Sequence, residues 1–333
     1  MSTPRRLLII SPAFHGYWRA IERAFASLGY AVRTHVYDDH RGLLAKVAMK
    51  ERELSSRLHG DPQLDPAMTQ RACAALAEAD PDLLLLVKAD GFGPTWWELL
   101  EQRRTPTVLW LYDELRRTRH TPATLSVPRA VASYSPLDVA ELAAQGHRAA
   151  HVPLAFDTGI RFVRQPSAEV AFVGARYPAR ESLLAAMHQA QVPIRTYGRD
   201  WSPHVVDRLR TWRVGSPGIP AGRELTREHA YAVMAGAPAT LNIHGDQDGF
   251  TMRTFEACGV GGVQLIDRAD VGEHYEPGVE LAVFASAQEA IELATRARTD
   301  RTWAQGLRER GRARTLAEHT FEHRARALEA LWA

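Results

Sequence analysis

The sequence has little of what disulfide, metal or membrane chemistry would need. Its two cysteines, Cys73 and Cys258, do not lie in a CxxC or other metal-binding spacing. The strongest apolar runs, 7–10 and 83–87, are too short for a signal sequence or a membrane span. We therefore expect a cytoplasmic protein with no membrane span.

The charge is nearly balanced. There are 41 basic and 39 acidic residues, which leaves a net charge of +2. This balance argues against a protein that binds nucleic acid mainly through its charge. Only three basic residues are lysines (Lys46, Lys50 and Lys88). Arginine is the better bidentate partner for phosphate, although genome base composition explains the same bias.

Several nucleotide and catalytic motifs are missing. The sequence has no GxxxxGK[ST], no GxGxxG after its first predicted strand, no GxSxG and no HExxH. These absences argue against a P-loop nucleotidase, a dinucleotide-binding fold, a serine hydrolase and a zinc protease. His319 and His323 are four residues apart, but no third ligand lies near them in the sequence, so no bound metal is expected.

What the sequence does contain is an alternation of short apolar runs with amphipathic stretches, which predicts parallel sheets covered by helices. The predicted strands are 7–10, 31–37, 83–87, 107–112, 130–134, 170–173, 194–197, 239–243 and 263–266. The clearest predicted helices are 17–28, 136–145, 178–191 and a tail over 303–332. Periodicity is lost over 152–167, where we place the junction of two α/β domains that leave a cleft between them.

Ligands of open parallel sheets lie outside the carboxyl ends of the strands. The richest such segment is 241–262, where a strand enters a polar glycine-containing loop and a helix begins near Thr251. The helix start and Arg253 form an anion site, and the acids Asp248 and Glu256 flank it and could hold sugar hydroxyls. A nucleotide diphosphate sugar fits this pattern; a plain helix start with capping acids fits it equally well.

The stretch Asp248-Gly-Phe-Thr-Met-Arg-Thr-Phe-Glu256 resembles the Glu-x7-Glu signature of GT-B glycosyltransferases, with Asp248 in place of the usual glutamate. More closely, the chain resembles the CgeB/spore-maturation-protein-like glycosyltransferases. The resembling blocks run in order from about residue 105 to the end: Leu111-Tyr-Asp113-Glu114, Gly174-Ala-Arg176 with Arg180, Tyr197-Gly198-Arg-Asp-Trp201, Arg253-Thr-Phe-Glu256, Tyr275-Glu-Pro-Gly278-Val-Glu280 and His319-Thr-Phe321.

This resemblance implies a GT-B fold, α/β, with two doubly wound Rossmann-like domains facing a central cleft. Residues 1–155 would bind the acceptor, 168–315 the nucleotide sugar, and 316–333 would form a terminal helix crossing back to the first domain. It implies transfer of a hexosyl or N-acetylhexosaminyl group from a nucleotide diphosphate sugar, most simply UDP-linked, to a hydroxyl or similar acceptor. No cofactor is implied, since the nucleotide sugar is a co-substrate and arginines replace the metal.

The resemblance also implies site residues. Glu256 would hold the donor ribose, Arg253 would neutralise the diphosphate, and Asp248 would complete the acid pair. The other donor-binding candidates follow the strand ends: Gly174, Arg176, Arg180, Tyr197, Gly198, Asn242, His244, Gly249, Phe250 and Thr251. Surface helix starts and polar capping are the alternatives for Arg176, Arg180, Asn242 and His244.

The first domain contributes His15, in the first strand–helix loop, and Asp113, at a strand end, as candidate bases for the acceptor hydroxyl. A solvated loop histidine and plain strand termination are the alternatives. Trp96 and Trp97 form either an aromatic platform or part of the core.

Two other functions stay open. One is a nucleotide-sugar epimerase or hydrolase on the same scaffold, and the other is a non-catalytic spore or structural sugar-binding protein. The sequence leaves open the acceptor, the sugar, the base, the stereochemistry and the oligomeric state, a homodimer included.

Overall fold

The computed structural model describes residues 3–39, 65–212, 215 and 218–333. These form two units, one made of residues 1–153 and 321–333 and the other of residues 154–320. The sequence put the first boundary at 155 and the start of the returning terminal segment at 316.

The first unit contains a six-stranded parallel sheet in the order β2-β1-β3-β4-β5-β6. Its strands are β1 Arg6–Ser11, β2 Ala31–Val36, β3 Leu83–Val87, β4 Thr107–Leu111, β5 Ala130–Ser133 and β6 Ala149–His151. Every residue of β3 and β4 is buried, because helices cover both faces of the sheet. Continuous apolar runs were therefore the right signal for these strands.

Helices of the first unit follow the strands in the right-handed βαβ pattern expected of parallel sheets. They are α1 Trp18–Ser27, α2 Pro66–Ala79, α3 Pro94–Arg103, α4 Pro122–Ser126, α5 Pro136–Ala144 and α12 Phe321–Glu329. Trp96 and Trp97 are buried in the core, so they form no exposed platform. In α12, Glu329 accepts a hydrogen bond from Tyr30 at 2.6 Å, which ties the end of the chain to the first unit.

The second unit has a six-stranded parallel sheet in the order β12-β11-β10-β7-β8-β9. Its strands are β7 Val170–Val173, β8 Ile194–Tyr197, β9 Ala221–Gly222, β10 Thr240–Asn242, β11 Gln264–Ile266 and β12 Ala282–Val283. Its helices are α6 Pro178–Gln189, α7 Val205–Thr211, α8 Arg227–Gly236, α9 Met252–Gly259, α10 Ala287–Thr299 and α11 Arg301–Glu318. Both sheets are doubly wound, which confirms the predicted fold class.

The tail predicted as helical over 303–332 consists of two helices. Helix α11 ends at Glu318, and α12 begins at Phe321. Between them the main chain of His319 accepts a hydrogen bond from the Phe156 amide at 2.9 Å, and Thr320 pairs with Phe156 in a parallel bridge. A strand-like pairing at 319–320 is incompatible with a continuous helix.

Candidate functional site

The strand order of the second unit identifies one place for a ligand. From β7 the chain winds through β8 to β9 on one side, and from β10 it winds through β11 to β12 on the other. The carboxyl ends of β7 and β10 therefore form the topological switch point, where doubly wound sheets bind ligands. Gly174 follows β7, and Ile243 and His244 follow β10.

Two glycines bring the main chain close together at the ends of β7 and β8. A Cβ atom on Gly198 would lie 2.5 Å from the carbonyl oxygen of Gly174, closer than real contacts allow. The same oxygen accepts a hydrogen bond from the Trp201 indole at 2.9 Å. The ring of Tyr197 packs against a small hydrophobic cluster that includes Val233, so the structure uses it for packing. The two glycines thus allow the main chain at the switch point to pack closely.

Arg180, in the first turn of α6, bridges the two central strands. Its Nε donates to the carbonyl of Ile243 at 2.7 Å and its Nη1 to the carbonyl of Ala175 at 3.1 Å. Its guanidinium also lies over the ring of Tyr177. Within the described residues it forms no ion pair. Burial lowers the pKa of Arg180; the charges of Tyr177 and Asp267 oppose this, and the positive charge of Arg253 adds to it. A half-buried cation without a counterion favours an anion beside it.

Arg176, unlike Arg180, forms an ion pair within the described part of the chain. Its Nε and Nη2 bond to the two carboxylate oxygens of Glu181 at 2.9 and 2.7 Å, and its Nη1 donates to the carbonyl of Gly215. This fork-to-fork pair neutralises the arginine. Of the two arginines that the sequence suggested here, Arg180 is the one whose charge is uncompensated.

Helix α9 begins at the switch point without a side-chain cap. Its N-cap residue Thr251 makes no capping hydrogen bond, and the first turn contains no acidic residue. Main-chain N–H groups at such a helix start lack intrahelical acceptors and carry partial positive charge. An anion is the natural acceptor for them.

Arg253 and Glu256 form a pair on this helix. Nη1 of Arg253 donates to Oε2 of Glu256 at 2.7 Å, and the hydroxyl of Tyr231 donates to Oε1 at 3.1 Å. Glu256 is 1% exposed, whereas the Arg253 side chain is 25% exposed. The carboxylate therefore anchors an arginine whose remaining N–H groups are available to a ligand. Burial, and then the charge of Glu256, raise the pKa of Tyr231, which keeps it a hydrogen-bond donor.

The loop before α9 is held by an arginine that the sequence analysis missed. Nη1 of Arg268 donates to the carbonyls of Gln247 and Gly249 at 2.9 and 3.2 Å, and its Nη2 donates to that of Asp248 at 2.9 Å. The guanidinium lies 4.2 Å from the centre of the Phe250 ring. The sequence did indicate Arg268 as a candidate, since it follows the end of β11, the strand next to β10.

Phe250 itself is buried beneath this arginine. Its ring makes edge contacts with the rings of His244 and His274, at centroid distances of 5.6 and 5.2 Å. Phe250 and the buried Gly249 therefore form the core of the loop. The structure gives Phe250 a packing role and leaves the polar contacts to its neighbours.

His244 pairs with a second residue that the sequence analysis missed. Asp267 accepts hydrogen bonds from the main-chain N–H of His244 and contacts its Nδ1 at 2.9 Å. The histidine is 5% exposed, and its Nε2 is buried with no hydrogen-bond partner among the described residues. A buried ring nitrogen without a partner is costly unless a ligand completes it.

Asn242 holds the strand ends together. Its Nδ2 donates to Oγ1 of Thr254 at 2.9 Å and to Oε1 of Gln264 at 3.2 Å, so it ties β10 to α9 and β11. Both donor hydrogens of its amide are thus used inside the protein, which gives Asn242 a positioning role, and its predicted contact with the donor stays a prediction.

The candidate bases lie in the first unit. Asp113 follows β4 and accepts a hydrogen bond from Nζ of Lys88, so its carboxylate is already paired. Nε2 of His120 contacts the carbonyl of Lys88 at 2.7 Å. His15 is exposed in a 3-10 turn with φ of 47°, and its ring touches Phe14 edge-on. The structure does not join His15 to Asp113 through any hydrogen bond between the two.

No group of three or more His, Cys, Asp or Glu side chains within the described ranges could hold a metal ion. In the same part of the chain, no helix is long and apolar enough to cross a membrane.

Comparison with known proteins agrees with this geometry. Residues 176–330, just under half of the chain, match a family described as glycosyl transferase-like. Comparison with curated protein sequences finds no significant match.

Three solved structures are similar over 98% of this chain and 98% of their own. They are sucrose-phosphate synthase from Thermosynechococcus elongatus (16% identity, TM-score 0.66), HepE from Anabaena in complex with UDP-glucose (13%, 0.64) and the lipopolysaccharide outer core galactosyltransferase WaaB (10%, 0.59). These likenesses confirm the GT-B fold. The family match is confined to residues 176–330.

Proposed function

We propose that the protein is a glycosyltransferase that uses a nucleotide diphosphate sugar, most simply a UDP-sugar, and that it is a CgeB-like member of its family. The observation that carries this proposal is the convergence of Arg180 and Arg253 at the uncapped start of α9. Arg180 and the helix start have no paired carboxylate among the described residues, and Arg253, paired with Glu256, keeps further N–H groups for a ligand; together they suit a diphosphate.

The same residues account for the chemistry of the leaving group. Transfer breaks the bond between the sugar C1 and the diphosphate, and the developing negative charge falls on the phosphate oxygens. Arg180 and Arg253 would stabilise that charge without a metal ion, because donors already oriented by Ile243 and Glu256 need little reorganisation. Metal independence is thus part of the proposal.

The other parts of the donor have candidate partners. Nε2 of His244, buried and without a partner among the described residues, would bond to a hydroxyl or phosphate of the donor. Asp248 would contact the sugar, and Glu256 would contact the ribose through the acceptor capacity its oxygens retain. The geometry of Glu256 also gives it a positioning role through Arg253.

The acceptor would bond to C1 of the sugar as its hydroxyl loses a proton. Asp113 and His15 are the proposed bases. Lys88 donates a hydrogen bond to the Asp113 carboxylate and would fix where it points. The acceptor class stays open, and so does the stereochemical outcome.

Some of the solved structures support UDP in particular. The HepE structure contains UDP-glucose, and a related one contains UDP and glucose. Another similar structure is described as a putative UDP-N-acetylglucosamine 2-epimerase, at 11% identity and a TM-score of 0.56. Epimerisation of a UDP-sugar is therefore the second candidate.

The test begins with calorimetric titration of UDP, GDP and dTDP into the wild type and the Arg253→Ala variant. We expect UDP to bind and the variant to lose about tenfold or more in affinity. Arg310→Ala, which removes an exposed arginine from α11, is the matched control and should bind like the wild type. No binding of any nucleotide diphosphate would contradict the proposal.

Incubation with UDP-sugars then separates the two activities. Transfer to an acceptor pool that persists in EDTA supports a metal-independent transferase. Epimerised sugar formed from donor alone, without transfer, supports the second candidate.

A further inference from the structure

A second basic region lies in the same unit, away from the switch point. A cavity of about 530 Å³ opens beside Ala168, just before β7, and Pro238, just before β10. It therefore lies at the amino ends of the strands, opposite the end where Gly174 and His244 lie. Its volume falls in the range of small-molecule sites and exceeds what one phosphate needs.

The charged residues that line this cavity all have one sign. Arg164, Arg298, Arg301 and Arg308 contribute to its wall, and no acidic residue does. Arg164, Arg298 and Arg301 are exposed and form no ion pair with the described part of the chain. Arg195, Arg223 and Arg227 in the same unit each pair with a carboxylate, so this grouping stands out as an excess of positive charge.

Arg308 is a buried cation that lines the cavity. It is 9% exposed, and its Nη1 donates to the carbonyls of Ala235 and Gly261 at 3.0 and 2.7 Å. Its Nη2 donates to Ala237 and Pro238 at 2.6 and 3.2 Å. Burial lowers the pKa of Arg308 to about 10, and the charge of Arg164 adds to this. Carbonyl dipoles satisfy its hydrogen bonds, but only an anion would balance its charge.

The wall of the cavity is fixed in place. The main-chain N–H of Gln165 donates to the carbonyl of Ala232 at 3.0 Å, and the main-chain N–H of Ser167 donates to the carbonyl of Gly236 at 3.3 Å. A Cβ atom on Gly236 would lie 1.6 Å from the Gln165 carbonyl oxygen, so only glycine allows this contact. The segment that carries Arg164 is therefore held against α8. Ser167 and Gln305 add neutral polar groups to the lining.

We propose that this cavity is a second ligand site, which binds a soluble small molecule carrying two or more phosphate groups. Several arginines around one cavity match several phosphates, and the neutral polar side chains match hydroxyl groups between them. The site is separate from the proposed donor site and does not depend on the nucleotide that binds there.

The test uses inorganic pyrophosphate as the probe, titrated in about 0.15 M salt, where attraction beyond about 8 Å is screened. Saturating UDP is included in a parallel titration to block the switch point. The double variant Arg298→Ala/Arg301→Ala is compared with Arg310→Ala/Arg312→Ala, which removes two exposed arginines from α11 outside the cavity. Gln305→Trp fills the cavity without a change of charge.

We expect pyrophosphate to bind the wild type and the control in the presence of UDP. Binding should weaken about 100-fold in Arg298→Ala/Arg301→Ala, at about tenfold for each charge-assisted contact, and at least tenfold in Gln305→Trp. Equal weakening in both double variants, or no effect of either cavity variant, would overturn the proposal. So would binding to phosphatidic acid vesicles without binding to pyrophosphate. The comparison of pyrophosphate binding between the cavity variants and the control does not require UDP to bind, so it also tests this proposal if the proposed donor site is wrong.

Discussion

Arg253 and Glu256, three residues apart on α9, share a hydrogen bond of 2.7 Å that joins the proposed donor site to the buried interior. The carboxylate is closed off from solvent and the guanidinium is partly open to it. The arginine is thus the more accessible member of the pair, and the glutamate fixes where it points.

Double substitution tests this division of roles. Arg253→Ala and Glu256→Gln should each weaken UDP binding about tenfold or more, and the two effects should be far from additive if the glutamate acts through the arginine. Uridine, which has the ribose but no phosphate, gives the control titration. A loss of uridine affinity in Glu256→Gln would support the proposed contact between the carboxylate and the ribose, and an unchanged uridine affinity would exclude that contact.

Arg180 and Arg176 provide a matched pair four residues apart. Because Arg180 lacks an ion pair among the described residues and Arg176 binds Glu181, Arg180→Ala should weaken UDP binding about tenfold or more, while Arg176→Ala should change it less than about threefold. Calorimetry with UDP measures both, and thermal unfolding checks that the two variants remain folded. Equal losses would mean that Arg176 exchanges its carboxylate for the phosphate.

Substitution of Arg268 should release the loop before α9. We expect Arg268→Ala and Arg268→Lys alike to lose about 1–3 kcal/mol of stability, since one ammonium cannot reproduce three carbonyl bonds and the Phe250 contact. Hydrogen exchange over 245–251 should rise in both. Asp270→Asn removes only the outer partner of Arg268 and should cost less than about 1 kcal/mol; a lysine variant with wild-type exchange would contradict the loop-holding role.

Gly198→Ala tests the close approach of β7 and β8. The added Cβ would meet the Gly174 carbonyl at 2.5 Å, so we expect a loss of about 1–3 kcal/mol in the free energy of unfolding. Gly272→Ala is the control, because a Cβ there meets nothing within 4 Å. Urea denaturation measures both, and equal stability of the two variants would show that the strand ends can relax.

His120 predicts a pH dependence of stability. Burial lowers the pKa of His120 below 6.5 in the folded protein, against a smaller raising effect of its bond to the Lys88 carbonyl. Below pH 6.5 the histidine therefore binds a proton more readily in the unfolded chain than in the folded one, so the free energy of unfolding falls as the pH drops. His120→Gln should flatten this fall, as measured by urea denaturation on either side of pH 6.5. An unchanged slope would exclude His120 as its source.

The sequence predicted the parts of the fold that have a local pattern. Strands β3 and β4 were recognised because every residue in them is buried, and α6 because Pro178 marks its first turn. Strands β9 and β12 span two residues each, too few for any periodicity. The break between α11 and α12 depends on Phe156, more than 160 residues earlier, which no local pattern records.

The same distinction applies to the site. Arg180 and Arg253 lie in the first turns of helices that follow strands, and Glu256 lies one turn after Arg253, so their placement could be anticipated. Arg268 and Asp267 bind main-chain groups of a loop about 20 residues away. Every residue has these main-chain groups, so the residue types of the loop do not indicate the contact. The pairing of Arg176, in the loop before α6, with Glu181 on that helix was not anticipated either, because the sequence does not show which carboxylate an arginine will face.

The way Arg268 holds the loop over 247–249 has a consequence for engineering. All three of its contacts there are with peptide carbonyls, so this hold on the loop does not depend on the side chain of Asp248, whereas the side chain of Gln247 accepts a hydrogen bond from the Gly245 main-chain N–H. Asp248 is therefore the position to randomise in a search for altered sugar preference, because the Arg268 contacts beneath it would survive the exchange.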